Sequence, residues 1–173
     1  MAEEWSKDLL YLAVVVFAVF FAARYILHVA WPFAVVSSWS MLPTLRVGDF
    51  VVLSGVSSCN ALEVGDIIVY IALPPFPPGE WIIHRVASIA PGCEITTKGD
   101  NNPISDQVYG EPPVTLDRVI GKVVFIVPYV GIFPLVVRPQ SSSPAGLDLW
   151  AMRLAIFAAA IAAYYAAFRR ASR

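Results

Sequence analysis

Ser40 lies in the run Ser38-Trp39-Ser40-Met41-Leu42-Pro43-Thr44-Leu45, a short way beyond an apolar N-terminal stretch. Downstream come Ile83-His84-Arg85, then Lys98-Gly99-Asp100-Asn101-Asn102, then Asp106. A serine hydroxyl attacks a carbonyl near neutral pH only with a base in hydrogen-bond reach. An imidazole serves as that base when a carboxylate fixes its tautomer and stabilises the imidazolium that forms. Alone, a Ser-x-Ser in a loop reads as a turn or a cap. The order serine, histidine, aspartate, placed just outside a membrane anchor, points to nucleophilic peptide chemistry.

The chain has two histidines. His28, at the end of the apolar stretch with no carboxylate close in sequence, reads as an interfacial helix residue. His84, within an apolar strand-like run, is the candidate base. Asp100 and Asp106 are both candidate partners for its ring. Asp106 lies past Pro103, where the chain can turn back toward His84, and is favoured for the orienting role, with Asp100 as the alternative. Asp100 follows Gly99 and suits a carboxylate that caps backbone N–H groups and shapes the loop. A tetrahedral intermediate needs donors aimed at its oxyanion, and the Ser40 N–H and Ser38 hydroxyl are suitably placed. Ser37 reads as a bystander, and Lys98 stays charged beside a carboxylate.

These residues need a scaffold, and composition indicates its kind. Of 173 residues, 58% are hydrophobic and 14% charged, which excludes an ordinary soluble domain. Leu9 to Ala23 carries no charge, and Leu149 to Phe168 carries only Arg153. Each approaches the roughly 20 residues that cross a hydrocarbon core of about 30 Å. The N-terminal run is acidic rather than basic, favouring an uncleaved anchor over a signal peptide. Arg169, Arg170 and Arg173 place the C-terminus in the cytoplasm by the positive-inside rule. The expected organisation is an anchor over 1–31, an extracytoplasmic domain over 32–140, a linker over 141–148, and a second span with a basic cytoplasmic tail over 149–173. Both termini are then cytoplasmic.

The middle region reads as strands: 50–53, 67–71, 81–90, 94–97 and 119–127, rich in Val, Ile and Phe and divided by Gly-Asp and Pro-Gly turns. The apolar stretch 119–137 is interrupted by Lys122, Pro128, Gly131 and Pro134, so it reads as a strand and turns rather than a third span. The proline-rich run 73–79 is a stiff hairpin connection, with a substrate or membrane lip as the alternative. The fold class is therefore a mainly β catalytic domain flanked by two transmembrane α-helices. Cys59 and Cys93 fall in the extracytoplasmic part, where a disulfide and two free buried thiols are both open. Nothing resembles a metal or redox motif, and no cofactor is expected. A net charge of −1 gives no nucleic-acid footprint.

These motifs resemble type I signal peptidases of the archaeal and endoplasmic-reticulum branch. The nucleophile pattern Ser-x-Ser-Met-x-Pro-Thr-Leu is matched by Ser38 to Leu45. Gly65-Asp66-Ile67-Ile68-Val69-Tyr70 follows, and His84-Arg85-Val86 carries histidine where bacterial members carry a lysine base. Thr97 to Asn102 with Asp106 matches the same branch. The resemblance covers about residues 35–130. It implies a β-rich domain seated on the membrane, Ser38 as an oxyanion donor, and signal-peptide-bearing preproteins as substrates, with small residues before the cut. Accessory membrane subunits are left open. A protease dedicated to a narrow set of surface proteins is the alternative within the class. A non-catalytic membrane scaffold subunit is the alternative outside it, and it sits poorly with a full set of catalytic groups.

Overall fold

The computed structural model describes residues 2–132 and residue 135. The expected linker and second span, 141–173, lie outside the described residues. The chain opens with one helix, α1, over Ala2–Leu27. Its Leu10–Leu27 window has a mean hydropathy of 2.3, with none of it buried, so it is long and apolar enough to cross a membrane. The helix stops before Pro32, because His28 turns into the left-handed region at φ 51°. Its last carbonyls are then taken up: Val29 N–H donates to Arg24 O at 3.3 Å and Gly55 N–H to Leu27 O at 2.7 Å. Gly55 is needed for that approach, since a Cβ there would stand 2.0 Å from His28 O.

Six strands follow: β1 (Phe33–Val35), β2 (Phe50–Ser54), β3 (Ile67–Ile71), β4 (Trp81–Ala90), β5 (Glu94–Lys98) and β6 (Val119–Val127). They form one antiparallel sheet in the order β1-β2-β6-β3-β4-β5. The strands expected at 67–71, 81–90 and 119–127 have those bounds. Those expected at 50–53 and 94–97 each run one residue further. The three-residue β1 was not anticipated, because so short a run has no period of its own and pairs only through its register with β2.

The β3 strand is apolar on both faces because both faces are covered. On one side Val51, Leu53 and Val69 pack with Val36, Met41 and Leu45. On the other, Ile68, Tyr70, Val86, Ile95, Val114 and Leu62 form a second cluster. Cys59 and Cys93 are joined as a disulfide beside the second cluster, which settles the question the composition left open. The β6 strand is less buried than its apolar sequence implies, with Val124 49% and Phe125 62% exposed.

The two neighbours of β4 cover it unequally. Its length from Trp81 to Arg85 pairs with β3, but β5 pairs only with Arg85 to Ala90. Trp81 to His84 therefore keep one edge that no strand covers among the described residues. Val35, the last residue of β1, and Val36 after it line one cleft together with Ile82 and Ile83 of β4.

Candidate active site

Register decides which side chains can meet. His84 pairs with Ile68, so His84, Tyr70 and Val86 project from the same face of the sheet. Val86 in turn pairs with Thr97 on β5, which brings Thr97 to that face as well. Asp106 comes to them from the loop after β5. Its N–H donates to Thr97 O at 2.9 Å, and Gln107 Oε1 accepts from Thr97 N–H at 2.9 Å, so this loop folds back along the strand edge.

Ser40 stands at the start of a turn anchored in the opposite core cluster by Met41 and Leu45, with Leu45 N–H donating to Met41 O at 2.9 Å. Its Oγ lies 2.9 Å from His84 Nε2, and His84 Nδ1 lies 2.7 Å from Asp106 Oδ2. His84 is 5% exposed and Asp106 0%, so the second bond is shielded from competing water. Ser38 Oγ is 3.1 Å from Ser40 Oγ, on the exposed side of the turn. The structure thus brings Ser38, Ser40, His84 and Asp106 together. His28 is elsewhere, at the end of α1. Lys98 lines a separate cavity with Arg85 and Asp100.

Asp100 is placed differently from its sequence expectation. Its carboxylate receives side chains, not backbone caps: Arg85 Nε at 2.8 Å, Arg85 Nη2 at 2.7 Å and Thr44 Oγ1 at 2.6 Å. The bidentate bonds from Arg85 hold the Asp100 carboxyl below its ordinary range, and the Thr44 hydroxyl adds to that. Because Arg85 follows His84 and Thr44 lies in the turn that begins at Ser40, Asp100 ties the strand carrying His84 to the turn carrying Ser40. The neighbouring backbone does the same, with Asn101 N–H donating to Ser40 O at 2.7 Å. Gly99 makes room for this contact, since a Cβ there would stand 2.7 Å from Ser40 O.

Sequence reasoning missed the polar groups behind Asp106. Thr97 and Tyr70 both reach its Oδ2, and buried Glu111 pairs with Arg118 and accepts from Leu73 N–H at 3.0 Å. Burial pushes the Tyr70 phenol above its ordinary value, and the Asp106 charge adds to that. The phenol therefore stays protonated and able to donate. An apolar strand flanking Tyr70 gave no sign of a polar partner.

A cleft of about 240 Å³ opens beside Ser40 and His84. Val35, Val36 and Met41 line one side, and Ile82, Ile83 and Phe76 the other. Phe76 belongs to the proline-rich connection between β3 and β4, so that segment is both the hairpin connection and a lip of the cleft. The uncovered edge of β4 runs along it. Among the described residues, no group of three or more His, Cys, Asp or Glu side chains is arranged to hold a metal ion.

A family model described as signal peptidase, peptidase S26, matches residues 7–121. The chain is 35% identical over 106 residues to the signal peptidase complex catalytic subunit SEC11 of Pyricularia oryzae. It is 39% identical over 106 residues to the SEC11 catalytic subunit of Colletotrichum graminicola. Each alignment covers 58% of this chain and 60% of the relative, so the chain spans about 60% of the length of these curated relatives.

Proposed function

We propose, given that the chain belongs to the signal peptidase family, peptidase S26, that it is a membrane-anchored serine endopeptidase that removes signal peptides from exported preproteins. The observation that carries this reading is the Ser40–His84–Asp106 chain at 2.9 and 2.7 Å, opening on an apolar cleft with a free strand edge. In the reading, an extended substrate segment adds to the uncovered edge of β4 at Trp81 to His84 and lays small side chains between Val35, Val36 and Ile83. Ser40 Oγ attacks the scissile carbonyl carbon while His84 Nε2 takes its proton. Asp106 Oδ2 keeps the other ring proton on Nδ1, so that Nε2 is the free acceptor, and stabilises the imidazolium. The Ser40 N–H and the Ser38 hydroxyl donate to the oxyanion. The imidazolium then protonates the leaving amine. A water activated by the same ring releases the acyl group and regenerates Ser40.

The α1 helix supplies the anchor in this reading. It holds the catalytic domain on the extracytoplasmic side, with the termini and the second span arranged as the basic residues predict. SEC11 relatives are described as catalytic subunits of a signal peptidase complex, so accessory membrane subunits are part of the proposal. The test is incubation of the detergent-solubilised chain with a preprotein, beside Ser40→Ala. Cleavage by the parent chain and its loss in the variant are expected. Full activity in Ser40→Ala would remove Ser40 as the nucleophile.

A further inference from the structure

The Asp106 carboxylate is held from one side only. Its Oδ2 receives three donors: His84 Nδ1–H at 2.7 Å, Thr97 Oγ1–H at 2.6 Å and Tyr70 O–H at 3.1 Å. Its Oδ1 is buried and meets no donor among the described residues. The rotamer that His84 meets is therefore set by the two hydroxyls and by the loop backbone.

Those hydroxyls are themselves held. Thr97 is 0% exposed and grips Asp106 twice, through its hydroxyl and through its carbonyl, which accepts Asp106 N–H. Thr97 Oγ1 is also 3.3 Å from Tyr70 Oη, but its single proton goes to the closer carboxylate oxygen. Tyr70 is fully buried in the core, and the Arg118 guanidinium stands 5.8 Å over its ring. Arg118 is in turn fixed by Ile71 O, at 3.1 and 2.9 Å, and by Glu111. The assembly reaches from Arg118 in the loop before β6, through β3 and β5, to the base.

We propose that Thr97 and Tyr70 are positioning residues of this site, whose hydroxyls together hold Asp106 in the one orientation that orients His84. Neither touches substrate or the reacting atoms. The proposal rests on the Ser40–His84–Asp106 reading and adds two groups that composition and motif leave unassigned. Removing a hydroxyl leaves the fold's packing in place but removes a bond to Oδ2 and lets the carboxylate turn relative to the ring. The ring then spends less time with Nε2 aimed at Ser40.

The two isosteric directions at position 97 separate this role from plain packing. Thr97→Val keeps the shape and loses the donor, whereas Thr97→Ser keeps the donor and loses a methyl group. With the full chain in detergent micelles, kcat for preprotein cleavage should fall about 3- to 30-fold in Thr97→Val and in Tyr70→Phe, with KM within about twofold. Thr97→Ser should stay within about threefold of the parent chain. Equal or greater loss in Thr97→Ser than in Thr97→Val would assign position 97 to packing and overturn the proposal. A readout independent of turnover is the ¹⁵N spectrum of the imidazole rings, with His28→Gln assigning the other histidine. The Nδ1–H tautomer of His84 should dominate in the parent chain and in Thr97→Ser, and mix with the other tautomer in Thr97→Val and Tyr70→Phe. If the parent chain cleaves no preprotein, the functional reading fails and this spectrum still decides the proposal. An unchanged tautomer in both donor-less variants would overturn it.

Discussion

Replacing Asp100 by asparagine separates the two carboxylates by what they hold. The side chain accepts three bonds, from Arg85 Nε, Arg85 Nη2 and Thr44 Oγ1. An amide keeps at most one acceptor and turns an NH₂ group toward Arg85 or Thr44. Bonds to a charged group contribute about 1.5–3 kcal/mol when protected. Here the Arg85 side chain is 33% exposed and that of Asp100 15%, so solvent screening lowers the expected loss to about 1–2 kcal/mol. For a β domain of this size that is a fall of about 4–10 °C in unfolding temperature. Turnover should drop by no more than about tenfold, because Asp100 touches neither Ser40 nor His84 and acts through the strands it ties. The pH dependence has a definite sign. The Asp100 carboxyl is held below its ordinary range in the folded chain, so its contribution is complete above the ordinary carboxylate range near about 4 and is lost as pH falls through the folded value. The parent chain and Asp100→Asn should therefore differ at neutral pH and converge in acid. Thermal unfolding followed by near-ultraviolet dichroism at several pH values, alongside preprotein cleavage, measures all of this. An Asp100→Asn chain that unfolds at the parent temperature but has lost catalysis would refute the reasoning and exchange the roles of Asp100 and Asp106.

Asp106→Asn should show the opposite profile, with the fold retained and kcat lowered by about 10²- to 10⁴-fold, because an amide can offer the ring the wrong tautomer; wild-type turnover in that variant would remove Asp106 from the site. Ser38→Ala should lower kcat by about 10- to 1,000-fold if its hydroxyl serves the oxyanion, and an unchanged kcat would assign Ser38 to the turn alone. The paired replacement of Cys59 and Cys93 by serine should cost about 2–4 kcal/mol in denaturant unfolding, with cleavage preserved below the new midpoint, since neither residue lines the cleft. A loss of cleavage at temperatures where the chain remains folded would connect that disulfide to the site.

The strands were legible because their runs are rich in Val, Ile and Phe, and because Gly-Asp and Pro-Gly turns divide them. Ser40, His84 and Asp106 were legible from their order and local motifs. The choice between the aspartates rested on where Pro103 lets the chain turn and on Asp100 following Gly99, where a carboxylate suits a cap. The actual partners of Asp100 were not legible, because Thr44 lies 56 residues away and meets it through the fold. Tyr70, Thr97 and Glu111 were hidden for a related reason. Each sits in a run that reads as strand or loop, and a buried hydroxyl or carboxylate declares its partner only once register sets the sheet faces. Of β1, only the pairing with β2 defines it. The extent of the apolar N-terminal stretch pointed to a long helix, but its end at Leu27 depends on Gly55 meeting it from the end of β2.

Two segments beside the cleft are joined to Ser40 in different ways. The turn from Gly99 to Asn102 is fastened to Ser40 by the Asn101–Ser40 bond, and a single added methyl at Gly99 would press on the Ser40 carbonyl. The hairpin that carries Phe76 and Glu80 faces Ser40 only across open space, and no hydrogen bond among the described residues joins it to Ser38 through Thr44. Sequence change is therefore felt unequally. In the proposed function, even a small side chain at position 99 disturbs the turn that carries Ser40, whereas the tip of the hairpin can vary in bulk and charge with no bond to that turn to break. In that reading, which peptides are accepted can diverge along one side of the groove without any alteration to the chemistry performed on the other.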